Sequence, residues 1–305
     1  MSARDRLLAV LVACIWGFNF VVVDWGLRGV PPLLFVAVRF VAVLVPAVFV
    51  VPRPDAPLRT VLGVGAFMSL GQFGFLYLAL AAGLPPGLAA LVLQAQVLFT
   101  IAFAAIVLRE RPRAMQIAGV LVGTAGLVVV GLGRGGDVPL VAFALCLAGA
   151  CSWGVGNVVS RSSSVSSGLS LTVWSALVVP VPALVLALVV HGPDEVVDGI
   201  AAFGWRSLVS TLYTAGLASL VGYGIFNSLL ARNTSADVVP FVLLAPVVAM
   251  TSAALLLDRV PNGPETVGAV VMVVGVLLTL RRPAAASRMG VPEPAMLAVS
   301  ERVGR

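Results

Sequence analysis

Ala13-Cys14-Ile15-Trp16-Gly17 and Ala150-Cys151-Ser152-Trp153-Gly154 carry one signature, Ala-Cys-x-Trp-Gly, written twice at a spacing of 137 residues. The first copy lies in the first long apolar run of the chain and the second in the sixth. Two copies in two halves point to a duplicated membrane unit of five spans. Because five is odd, the two copies enter the membrane in opposite directions. Inverted repeats of this kind form a solute path between the halves.

Composition places the chain in lipid. Of 305 residues, 60% are hydrophobic and 10% charged, and the mean hydropathy is +1.09. A soluble domain carries about 25% charged residues, so this chain lacks the charge to cover a water-facing surface. A helical span needs about 20 mostly apolar residues. Ten runs meet that length, at 7–25, 33–51, 61–82, 87–108, 115–132, 139–159, 171–190, 207–231, 238–257 and 264–280, the fifth and tenth being the shortest. Their length and lack of alternation favour helices over barrel strands. The predicted fold is therefore an all-α integral membrane bundle of ten helices, built as two inverted-topology repeats of five.

All nineteen basic residues are arginine, and their distribution explains the net charge of +6 without nucleic acid. With the N-terminus inside, fourteen arginines fall on the inner side. Four (Arg28, Arg134, Arg206 and Arg259) fall outside, and Arg39 lies within the second span. The positive-inside rule thus puts both termini in the cytoplasm of a cell whose inner membrane holds the chain. Arg4 and Arg6 followed by Leu11-Val12-Ala13-Cys14 imitate a lipoprotein leader. The apolar run continues well past Cys14, which favours an uncleaved first span. Cys14, Cys146 and Cys151 all fall in spans, so neither a structural disulfide nor a metal site is expected. No cofactor motif is present, and monomer and homodimer are equally compatible with the sequence.

The halves align further along. Phe73-Gly74 corresponds to Tyr223-Gly224, and Gln94-Ala95-Gln96-Val97 to Leu244-Ala245-Pro246-Val247, both at a spacing of 150. A longer loop at 191–206 absorbs part of the drift from 137. The repeats are then 1–135 and 136–282, and the Pro-, Ala- and Arg-rich segment 283–305 reads as a disordered cytoplasmic tail.

Several motifs in this order carry a family likeness. They are Ile15-Trp16-Gly17-Phe18-Asn19-Phe20, Gly29-Val30-Pro31-Pro32, Arg39-Phe40, Gln72-Phe73, Pro86-Gly87-Leu88-Ala89, Leu93-Gln94-Ala95-Gln96 and Ala253-Ala254-Leu255-Leu256-Leu257-Asp258. The set resembles the EamA family of the drug/metabolite transporter superfamily, and most of all its O-acetylserine/cysteine exporter branch. Arg109-Glu110-Arg111-Pro112 fits the family's pattern after the fourth span, whereas Asp258-Arg259-Val260-Pro261 lacks the second glutamate. The resemblance implies an inner-membrane carrier of small amino-acid metabolites, with its cavity between spans one to four and six to nine.

Polar groups inside lipid are costly, so their positions are informative. Arg39 sits about 10 Å into the second span at 1.5 Å per residue. One role open to it is to bind a substrate carboxylate with two prongs. The other is to reach outward or pair with Asp24. Gln94 and Gln96 are about 200° apart on a helix and face different ways. Together with Gln72, Asn19, Asn157 and Asn227 they supply the neutral donors and acceptors that suit a polar solute, or else bond helix to helix. Trp16 and Trp153 lie mid-span, where paired indoles either line the path or pack the bundle. Tyr223 is a further candidate, with Tyr77 and Trp174 behind it. Pro246 is placed to break the ninth helix. Asp24 is the one candidate for a coupling proton. An enzyme would instead cluster acids or histidines at one membrane face; Asp194, Glu195 and Asp198 do cluster, but in the longer loop, where solvent satisfies them.

Overall fold

The computed structural model describes residues 1–133, 138–163, 168–233 and 235–280; the expected tail at 283–305 lies outside the described residues. Within them every regular element is helical. Ten helices are long and apolar enough to cross a membrane: Ala3–Gly26, Pro32–Val50, Leu58–Ala81, Pro86–Val107, Ala114–Gly133, Leu140–Arg161, Gly168–His191, Trp205–Arg232, Pro240–Leu257 and Gly263–Leu280. They are numbered first to tenth below. The shortest are the ninth and tenth, because the fifth extends to 20 residues.

Local chemistry starts the helices where they start. Ser2 Oγ accepts from the Asp5 amide at 3.1 Å and caps the first span. Pro32 and Pro86 stand at first helical positions, where a missing N–H costs nothing. Asn262 and Glu265 cap the tenth reciprocally, each side chain accepting from the other's amide at 2.8 and 2.9 Å. One expectation needs correction: the segment 191–206 is not all loop. Pro193–Ala201 is a helix, with Asp194 and Glu195 in its first turn, where the helix dipole favours acids.

Two kinds of irregularity recur at the repeat spacing. The third and eighth spans widen to π-helical turns at Gly65–Gly71 and Tyr213–Val221. The fourth and ninth are both interrupted, after Val92 and after Val242. The second interruption precedes Pro246, which instead sits buried in the first turn of Leu244–Leu257, where proline is tolerated. Both of these spans end in a left-handed residue, Arg109 (φ 54°) and Asp258 (φ 53°). The next amide then bonds back six residues, Glu110 to Ala104 and Arg259 to Ala253, and so satisfies a carbonyl of the last turn.

The fifth and tenth spans pack on each other through glycine. A methyl group at Gly119 would lie 2.6 Å from the Gly275 carbonyl, and one at Gly126 would lie 2.8 Å from the Gly268 carbonyl. Such contacts bring helix backbones together where lipid supplies no hydrophobic drive. At the end opposite the N-terminus, the first and eighth spans are bonded shut. Ser207 donates to the Gly26 carbonyl at 3.0 Å and Ser210 to that of Val22 at 2.8 Å. Trp25 meets Trp205 edge-on at 5.1 Å.

Candidate functional site

A cavity of about 210 Å³ occupies the half of the bundle on the N-terminal side. Arg39 and Phe73 form its inner limit, and it extends to Val51 and Leu169 at the helix ends. The second, third, sixth, seventh and eighth spans supply its wall.

Arg39 is 4% exposed and held from both halves of the chain. Its Nη1 donates to Tyr77 Oη at 3.0 Å and its Nη2 to Ser219 Oγ at 3.3 Å. The guanidinium lies over the Phe73 ring at 3.9 Å, within cation–π range. Nε is buried and has no acceptor. Ser219 is presented by the π-helical turn, and its own hydroxyl donates to the Thr214 carbonyl five residues back at 2.8 Å. Arg39 thus turns to Tyr77 and Ser219, not outward to Asp24. Asp24 lines a separate depression at the opposite end, together with Arg28, Asp258 and Arg259.

Of the residues singled out from sequence, the structure brings Arg39, Trp153, Tyr223 and Asn227 together on this cavity. Asn227 Nδ2 donates to the Tyr223 carbonyl at 2.8 Å. The others lie elsewhere. Gln72 is buried and Asn19 half-buried, each with a side-chain oxygen that is buried and finds no donor. Gln94 is buried at the break in the fourth span. Gln96 is half-buried beside it, its carbonyl accepting from Thr100 at 2.6 Å. Asn157 donates to that same Thr100 hydroxyl at 3.0 Å, a bond between the sixth and fourth spans.

The two signature tryptophans are seated differently. Trp16 donates to the Ala218 carbonyl at 2.9 Å and packs against Tyr223 and Phe226, each at 5.2 Å. Gly222 makes room for it, since a methyl group there would come within 2.6 Å of the indole nitrogen. At the repeat spacing of 150, Gly222 corresponds to Gln72. Trp153 lies on the cavity wall.

Ser69, Thr172, Ser175 and Ser219 also line the cavity, and sequence reasoning missed all four. Hydroxyls in membrane helices commonly bond their own backbone, so nothing in the sequence separates these from Thr211 or Thr214. Tyr77, ranked low from sequence, is the closest partner of Arg39.

Ten apolar helices enclosing a cavity whose inner limit is a buried arginine form a multi-pass membrane carrier. Comparison with known proteins gives the family: the chain belongs to the EamA-like transporter family, whose pattern matches residues 6–132 and again 140–281. Relatives named probable amino-acid metabolite efflux pump, from Salmonella typhimurium and Escherichia coli, are 40% identical over 286 residues, 92% of this chain and 96% of theirs. A probable terminal-alkyne amino-acid exporter of Streptantibioticus cattleyicolor is 27% identical, over 72% of this chain and 70% of its own. A solved crystal structure at 19% identity shares the fold, with a TM-score of 0.54 over 91% of this chain and 96% of that one.

Proposed function

We propose that this carrier exports small amino-acid metabolites, O-acetylserine and cysteine being the first to test, across the inner membrane by alternating access. The observation that carries the reading is the Arg39 site. A cation that can grip a carboxylate bidentately lies within the bundle, held by Tyr77 of the proposed first repeat, 1–135, and Ser219 of the second, 136–282. A group held from both repeats is where rocking of one against the other changes access. The 40% identical efflux pumps support the same substrate class. With both termini cytoplasmic, as the arginine asymmetry supports, the cavity lies on the cytoplasmic side and the bonded end faces outward. Asp24 is the group proposed for any proton coupling.

A second reading, a sister carrier for another small solute, draws on the apolar wall formed by Phe40, Val43, Val64 and Leu220. Labelled O-acetyl-L-serine, L-cysteine and unrelated metabolites offered to inside-out vesicles separate the two. Saturable uptake of the first pair is the expected result, and no saturable uptake of any amino-acid metabolite overturns the main reading.

A further inference from the structure

The family pattern matches the chain twice, so features of one half have counterparts in the other. The Arg39 seat has three parts: Tyr77 and Ser219 accept from the guanidinium, and Phe73 offers its ring face. At the repeat spacing of 150, Tyr77 corresponds to Asn227, Phe73 to Tyr223, and Ser219 to Ser69. The same trio therefore occurs a second time, and Asn227, Tyr223 and Ser69 all line the cavity. Both serines are delivered by π-helical turns. The arginine is not repeated. At the spacing of 137, Pro32 at the start of the second span corresponds to Leu169 near the start of the seventh, and Arg39 corresponds to Ala176. Ala176 is buried and also lines the cavity. The second seat thus has acceptors and a ring but no cation from the protein. Ser69 is 6% exposed, and its hydroxyl meets no partner among the described residues. Asn227 donates through Nδ2 to the Tyr223 carbonyl. A carbonyl only accepts, so that bond fixes which end of the amide is nitrogen and leaves Oδ1 as an acceptor.

We infer that this second seat receives the α-ammonium group of the solute, accepted by Ser69 Oγ and Asn227 Oδ1 beside the Tyr223 ring, while Arg39 takes the carboxylate. This rests on the reading of the Arg39 cavity as the solute path. The solute brings to one half the cation that Arg39 supplies to the other. A buried polar group without a partner is costly, and an ammonium offers three donors and an attraction to an aromatic ring. Ser69 and Asn227 then distinguish an α-amino acid from a carboxylic acid of the same shape. A site built to hydrogen-bond an N–H group rejects an analogue lacking it far more strongly than an apolar pocket rejects a missing methylene.

L-cysteine and 3-mercaptopropionate decide the matter, because they differ only in the amino group. The full-length protein is reconstituted into liposomes, and the KM for labelled L-cysteine is compared with the Ki of unlabelled 3-mercaptopropionate. In the unmutated protein Ki is expected to exceed KM by roughly tenfold or more. Ser69→Ala and Asn227→Leu are each expected to raise the KM for L-cysteine roughly tenfold and to leave the Ki of 3-mercaptopropionate unchanged. Arg39→Lys, by contrast, weakens both ligands alike. Ki equal to KM in the unmutated protein overturns the ammonium seat, and this arm needs no variant. Variants that weaken both ligands in proportion also overturn it, as does a wild-type KM in both variants. Each of these results leaves the proposed export of amino-acid metabolites standing. Saturable uptake of no amino-acid metabolite overturns both.

Discussion

Arg39 has three partners, and each constrains a different feature of the side chain. Tyr77 and Ser219 fix the two ends of the planar fork, and Phe73 fixes its face. Lysine keeps the charge but not the fork. We therefore expect Arg39→Lys to raise KM roughly tenfold with a smaller change in maximal rate. Arg39→Ala is expected to abolish transport while the protein still inserts. Initial rates in vesicles, normalised to inserted protein, check both, and wild-type kinetics in either variant remove Arg39 from the site. A second prediction concerns the left-handed residues at the ends of the fourth and ninth spans. A side chain at positive φ is strained, so Arg109→Gly and Asp258→Gly should each stabilise by about 0.5–1 kcal/mol. That corresponds to a rise in Tm of about 2 °C in detergent; a fall in Tm for both means the side chains contribute more than the strain costs. Arg39 was legible in the sequence because a charge inside an apolar run has no ordinary explanation. Its partners were not, because they lie 38 and 180 positions away and look like any other hydroxyl in a span.

At the level of elements, composition revealed the spans because lipid selects for apolar length and little else. The widened turns at Gly65–Gly71 and Tyr213–Val221 left no such trace. A π-turn is a change in hydrogen-bond partner, not in residue type, and such turns gather at functional sites. Here one of them delivers Ser219 to Arg39. The helix at Pro193–Ala201 was hidden for another reason: its acids read as solvated loop until their place in a first turn was seen. Two substitutions probe helix contacts. Gly222→Ala intrudes on the Trp16 indole and should displace it from the Ala218 carbonyl. The expected result is a bonded end that opens more readily, read as faster cysteine-reagent labelling of Ser207→Cys, with unchanged labelling as the contrary outcome. Gly275→Val instead drives the tenth span from the fifth. It should lower thermal stability by more than about 1 kcal/mol without altering which solute is preferred, because this pair contributes nothing to the cavity wall; a changed preference would place the pair in the transport path.

For the whole molecule, one conformation has been caught. The end beyond Gly26 is bonded shut, and the cavity occupies the half with the N-terminus. With the native cysteines replaced, Thr172→Cys should react with a membrane-impermeant thiol reagent in inside-out vesicles and resist it in intact cells. The reverse pattern refutes the proposed orientation. Asp24, at the far end, is a test of energy coupling. Asp24→Asn is expected to remove any pH-dependent component of efflux, and an unchanged pH profile takes Asp24 out of the coupling.

The unequal seating of the two tryptophans has a kinetic meaning. The Trp16 bond to the Ala218 carbonyl contributes about 1 kcal/mol to the conformation described here, which any state that breaks it gives up. That is a roughly fivefold bias in population. In the orientation proposed above, the idle protein then rests with its cavity open toward the cytoplasm. Gly222 in one half, at the place of Gln72 in the other, helps to set which conformation the empty protein favours, while the direction of net flow is left to the driving gradient.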